Sequence, residues 1–305
     1  MKPRLSFNRC FISRLVGSSP FSNIDYRQGA EVILLRKGKR KKGRIKEDDL
    51  CNYEDTPMTR RFANDVRTIN SHLRNREISY SGEAIVPLHK RLMYRIFCDG
   101  TFEHGGRLFG HWCQNINKLE RQYVTIDGER VCDLDYGSMH IALLHHLDGT
   151  TFDTTSDPFK IPGWEQYRDA IKKVSYALLN ASSQLNHFPD DIKNDFPNGT
   201  RFKDVRETIF EHIPIVKEHA FTRVGLKLQR KESDILVIAL LALVEKNVGF
   251  VPFHDGILVP ISANEITRQA MQEAYTAITG QQPVIKEKPI PMSPEVASFL
   301  RCQLR

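Results

Sequence analysis

An α+β fold with an antiparallel sheet is what this sequence predicts, and three observations predict it. Short apolar and β-branched runs end at turn residues, as in Tyr123-Val-Thr-Ile126 before Asp127-Gly128, which is hairpin composition. Helical spacings of three and four residues fill much of the chain between such runs. The two patterns intermix without the regular strand–helix–strand alternation that a parallel sheet needs.

Residues 1–57 read as an irregular basic arm, with one short strand candidate at Glu31 to Leu35, and residues 58–305 as the folded domain. Thr59 to Arg76 carries Phe62, Val66, Ile69 and Leu73 at helical spacing. Leu88 to Phe97 is a second short amphipathic stretch. Arg107 to Trp112 and Tyr123 to Ile126 read as strands, and the second turns at Asp127-Gly128 into a strand that carries Asp135. A helix runs from Tyr136 to about Leu147, with Gly149 as its stop. Trp164 to Ser182 is helical after Pro162-Gly163, and residues 186–204 are rich in turn formers. Phe202 to Lys217 and Lys231 to Lys246 are helical, the second strongly apolar on one side. A strand–turn–strand surrounds Asp255, then a helix runs from Ala263 to about Thr279 and a last strand covers Val284 to Lys288.

A length of 305 residues suffices for one large domain or two modest ones. The 44 Lys and Arg exceed the 37 Asp and Glu by seven, and the excess is local. Arg36 to Lys46 is a nearly pure cationic run, with Lys39, Arg40, Lys41 and Lys42 at its centre. Such a run suits a polyanion through counterion release, or else it is a solvated linker. The six cysteines are scattered, with no C-x-x-C pair. That argues against zinc and disulfides and fits a reducing, cytoplasmic setting. No apolar stretch is long enough to span a bilayer, residues 1–20 lack the apolar core of a secretory signal, and there is no internal repeat.

The chemistry centres on two aspartates at the ends of apolar runs. Asp135 lies in Val131-Cys-Asp-Leu-Asp-Tyr136, and Asp255 in Phe250-Val-Pro-Phe-His-Asp-Gly256. Alone, each suits a cap or a turn. On neighbouring strands they can share two divalent cations about 3.5–4 Å apart, the arrangement for in-line nucleotidyl transfer. Mg²⁺ suits oxygen ligands and substrate phosphates, and Mn²⁺ can substitute. Arg168, Lys172, Tyr176 and Asn180 follow at four-residue intervals and form one helical stripe. An arginine fork and a lysine point charge one turn apart can hold a triphosphate, and an aromatic beyond them can stack on a base or sugar. Arg107, between glycines, and Gln229 are donors able to reach the minor-groove acceptors common to every base pair. His140, His145 and His146 do not complete a tetrahedral zinc site.

Five segments, in order, resemble the catalytic core of DNA polymerase I-like (family A) polymerases and, more distantly, the phage-type single-subunit RNA polymerases. They are Gly106-Arg107-Leu108 with Gln114-Asn115-Ile116; Asp135-Tyr136 and the helix after it; Arg168-x3-Lys172-x3-Tyr176; Leu228-Gln229 through Asp234-Ile235; and His254-Asp255. They cover roughly residues 100–290. The resemblance implies a right-hand polymerase palm on an antiparallel sheet, abbreviated helical fingers over roughly 150–225, and a reduced or absent thumb.

The resemblance also implies roles. Asp135, preferred over Asp133 on the same strand face, would hold the two Mg²⁺ ions with Asp255 and a backbone carbonyl near Tyr136. Arg168, Lys172, Tyr176, Asn180 and His140 would contact the nucleotide, and Arg107, Gln229 and His254 the nucleic acid. Three departures stand out: His140 replaces a glutamate that blocks ribose 2′-hydroxyls, Asn180 a tyrosine, and Gly256 the acid after the second catalytic aspartate. The implied activity is template-dependent nucleotidyl transfer, foremost by a DNA-directed DNA polymerase. RNA synthesis or priming and a non-catalytic nucleic-acid-binding role are the alternatives. Primer–template, nucleoside triphosphates and replication accessory proteins are the implied partners, with no membrane.

Overall fold

The structure, a computed structural model, describes residues 31–38, 49–153 and 156–290. Lys39, Arg40, Lys41 and Lys42, with most of the basic arm, lie outside the described residues. The strands are β1 (Ile33–Leu35), β2 (Ile78–Tyr80), β3 (Tyr94–Phe97), β4 (Gly105–Phe109), β5 (Val124–Ile126), β6 (Glu129–Tyr136), β7 (Val251–Phe253), β8 (Gly256–Pro260) and β9 (Ile285–Lys288). The α-helices are α1 (Pro57–Arg74), α2 (Met139–Leu147), α3 (Arg168–Asn180), α4 (Phe202–His212), α5 (Pro214–His219), α6 (Val224–Glu245) and α7 (Asn264–Thr279).

β6 organises the larger sheet. Its first residues pair with β5 across the Asp127-Gly128 turn, where both residues have positive φ, 53° and 79°, as a two-residue hairpin requires. Its second half is flanked by β8 on one side and β9 on the other, both antiparallel. β7 extends the sheet beyond β8, and β2 extends it beyond β5. The smaller sheet is β1-β3-β4, with β1 and β3 parallel and β3 and β4 antiparallel. The molecule is therefore α+β with mainly antiparallel sheets.

Period-two alternation divides the faces of β6. Leu134 and Tyr136 turn to the core, where the Tyr136 hydroxyl donates to the Met271 carbonyl of α7 at 2.7 Å. Asp133 and Asp135 share the other face. Helix α6 packs against α7, α1, α2, α3 and β4. Its Leu228, Ile235, Leu236, Leu240 and Leu243 are fully buried, each worth about 1.5–3 kcal/mol of transfer free energy.

Several boundaries differ from the sequence reading for local reasons. Helix α1 begins at Pro57, behind a reciprocal Thr56–Thr59 capping box. Leu88 to Phe97 is not one amphipathic element but a turn followed by β3. Helix α2 starts at Met139, because Ser138 is left-handed at φ 51°. A 3₁₀ turn over Glu165–Tyr167 precedes α3, so the helix begins at Arg168 and not at Trp164. Pro214 forces Ile213 out of helical geometry and divides Phe202 to Lys217 into α4 and α5. Helix α6 runs further back than Lys231, to Val224. No helix among the described residues is long and apolar enough to cross a membrane. Cys51, Cys98, Cys113 and Cys132 are free thiols.

Candidate active site

A two-residue hairpin turn places Asp255. β7 ends at Phe253 and β8 begins at Gly256, with those two residues paired, so His254 and Asp255 form the whole loop. His254 takes φ 22° there, and its ring packs edge-on against Phe109 at 5.2 Å. The Tyr136 N–H donates to the Asp255 carbonyl at 3.1 Å. Gly256 lies directly opposite Asp135. The two aspartates therefore flank one backbone junction and line one cavity of about 190 Å³, shared with Asp133, Arg121, Gln114, His254 and Lys288.

Gly256 has a steric reason to be glycine. A Cβ there would stand 2.7 Å from the Leu134 carbonyl oxygen and 3.2 Å from Asp135 Oδ1. An acid at this position would force β6 and β8 apart. We expect Gly256→Ala to cost about 1–3 kcal/mol through that displacement, read as a lower thermal midpoint; an unchanged midpoint would mean the strands separate freely.

The acids on β6 differ in their partners. Asp133 accepts from Arg121 Nη1 at 2.5 Å, and the same guanidinium lies 4.1 Å over the Phe253 ring. Asp135, 7% exposed, accepts from Lys288 Nζ through Oδ2 at 2.6 Å, while Oδ1 is buried without a hydrogen-bond partner. Buried acceptors are seldom left so. Burial first, then the charge of Asp255, pushes the Asp135 carboxyl up to about 7 against the pull of Lys288. An orphaned carboxylate oxygen beside a second acid suits a hard divalent cation, which would relieve both. Tyr136 could offer only its backbone carbonyl, since its side chain is committed to α7.

Glu232 ties α6 to both β4 and α2. Its carboxylate takes a bidentate pair from Arg107 (2.6 and 2.8 Å) and a 2.7 Å bond from His140 Nε2. Burial alone would raise its carboxyl; Arg107 and His140 overcome that and hold it at about 2. The His140 ring lies 5.1 Å from that of Tyr176. The Tyr176 phenol is pushed up by burial, then by the charges of Asp255 and Glu232, with a smaller push from Asp135. It stays a protonated donor in the field of both aspartates.

The α3 stripe is only partly gathered at this centre. Lys172 Nζ lies 5.6 Å from the Tyr176 ring centroid. Arg168 is paired with Asp157 at 2.8 Å and Asp169 at 2.6 Å, and neither cation lines the aspartate cavity. Asn180 packs against Gly225 of α6, where a side chain would have no room. Asn180, Arg107 and Gln229 instead line a second cavity of about 260 Å³, with Phe109, Cys98 and Leu226. Gln114 bridges strands, donating to the Leu108 and Pro252 carbonyls and accepting from Gly110 N–H. His145 bonds Thr150.

Sequence reasoning missed Glu232, Lys288 and Arg121. Glu232 had a readable signal: it falls between Leu228 and Ile235 on the apolar stripe of α6, where a lone acid calls for a buried partner. Lys288 and Arg121 had none, because their partners come from pairings that local pattern does not specify.

No protein-family model and no curated protein matches this chain. Among solved structures, it is similar to the POL domain of Pol1 from M. smegmatis, in complex with DNA primer-template and dNTP. The TM-score is 0.41 and the identity 13%, over 75% of this chain, and the chain spans 50% of that one.

Proposed function

We propose that this chain is a template-dependent nucleotidyltransferase, acting as a DNA-directed DNA polymerase. The observation that carries the proposal is the junction of Asp135, on β6, with Asp255, in the turn between β7 and β8, with one buried carboxylate oxygen left over. Asp135, Asp255 and the Tyr136 carbonyl would hold two Mg²⁺ ions, which when bound supply Lewis-acid stabilisation to an attacking 3′-hydroxyl and a departing pyrophosphate. The chain's own residues do the positioning. Tyr176, beside His140 and in the fields of Asp255, Glu232 and Asp135, would offer its ring and hydroxyl to the nucleotide. Lys172 and Arg168, further along the same stripe, supply charge for a triphosphate, Arg168 on release from Asp157 and Asp169. Arg107 and Gln229 border the second cavity as donors for the primer–template terminus.

A deoxyribose substrate is favoured over ribose by the Glu232–His140 bond. That bond occupies His140 Nε2, so this atom is not available to receive a 2′-hydroxyl. The test is primer extension with dNTPs or NTPs on DNA and RNA templates. We expect dNTP incorporation on DNA, with Arg168→Ala and Lys172→Ala each raising the nucleotide KM about tenfold or more while duplex binding is kept. A preference for NTPs would overturn the sugar assignment. An unchanged KM in both variants would remove α3 from nucleotide binding.

A further inference from the structure

β9 brings a cation into a site otherwise built from acids. Lys288 stands opposite Asp133 in the β6–β9 pairing, but its side chain runs diagonally to Asp135 and meets Oδ2 at 2.6 Å. Its ammonium also lies in the fields of Asp255 and Asp133 and lines the same cavity. The charged groups facing this point are thus Asp133, Asp135 and Asp255, with Arg121 and Lys288 against them.

The two cations are held differently. Arg121 is fixed between the Asp133 carboxylate and the Phe253 ring. Lys288 is a point charge on a flexible stem, with its side chain 39% exposed. An ion ligated by Asp135 and Asp255 would stand within a few ångströms of that ammonium, and like charges at such range repel strongly in a half-buried cleft. Oδ2 cannot serve both.

We infer that Lys288 is a resident counter-ion of the aspartate pair, which competes with divalent cations for Asp135 and must swing off Oδ2 before the ions are fully bound. The inference rests on the nucleotidyl-transfer reading. A nucleoside triphosphate brings its own negative charge and gives the freed ammonium a new partner. Nucleotide and metal therefore bind cooperatively, and the site is guarded against metal when nucleotide is absent.

The test is Mn²⁺ binding to the full chain without nucleic acid, followed by the electron paramagnetic resonance signal of free Mn²⁺. Lys288→Met and Lys288→Gln should both bind Mn²⁺ about tenfold more tightly than the unaltered chain. Lys288→Arg should stay close to it, and Asp135→Asn should lose the site. Adding dATP should narrow the gap between Lys288→Met and the unaltered chain. Thermal melts confirm that each variant is folded, and two uncharged replacements guard against a packing artefact of either. If both uncharged variants bind Mn²⁺ no more tightly than the unaltered chain while Asp135→Asn abolishes binding, Lys288 is no competitor and the nucleotidyl-transfer reading survives. If Asp135→Asn leaves Mn²⁺ binding intact, the aspartate pair is not a metal site and both fall together.

Discussion

Asp135→Asn and Asp255→Asn are each expected to reduce nucleotide incorporation on the order of 10³-fold or more, roughly 4 kcal/mol of transition-state stabilisation. The change keeps size and shape while removing the charge that would hold the ions. Both variants should remain folded. Asp135 in particular carries its charge at a cost, since burial and Asp255 push its carboxyl up to about 7. A neutral amide removes that cost, although it also gives up the Lys288 pair. Single-turnover extension of a labelled primer, alongside a thermal melt, checks both halves of the expectation. Loss of activity together with loss of fold would say nothing of chemistry; full activity in either variant would remove that aspartate from the site.

The largest effect on stability is expected from Glu232→Gln. The native carboxylate is buried between the Arg107 guanidinium and His140. Its removal leaves Arg107, with a side chain 22% exposed, short of its counter-charge. Breaking a buried pair from one side costs about 3–5 kcal/mol. The pH dependence has a definite sign. Glu232 is held at about 2 against an ordinary 4.5, so the folded state releases its proton more readily than the unfolded state. That contribution is fully present above about pH 4.5 and is lost as pH falls toward 2. Denaturant melts of both proteins should therefore differ most at neutral pH and converge in acid. A gap that stays constant from pH 7 to pH 3 would show that packing, and not charge, sets the loss.

The sheet was legible where local chemistry dictates it. Asp127-Gly128 is a hairpin turn by composition, and the apolar runs around Asp135 and Asp255 read as buried strands, while the pairing of β6 with β8 comes from the structure. The stripe of α3 was legible from four-residue spacing. Helix boundaries were less so. Ser138 and Pro214 are single-residue effects of backbone conformation that periodicity passes over. The partners of the charged residues were least legible. That Arg107 is anchored by Glu232, and that Lys288 is the counter-ion of Asp135 and not a surface residue, depends on elements more than a hundred residues apart in the chain. Gly256 shows the same limit: the nearness of the Leu134 carbonyl, a steric reason for glycine, appears only in the paired strands.

Templated addition of a single nucleotide is the decisive measurement for polymerase activity in this chain. Four primer–templates that differ only in the first unpaired template base are each offered the four dNTPs separately, in Mg²⁺. One-nucleotide extension by the complementary dNTP is expected on each template, and none in Asp255→Asn. Extension that ignores the template base, or that persists in Asp255→Asn, would contradict templated synthesis at this site.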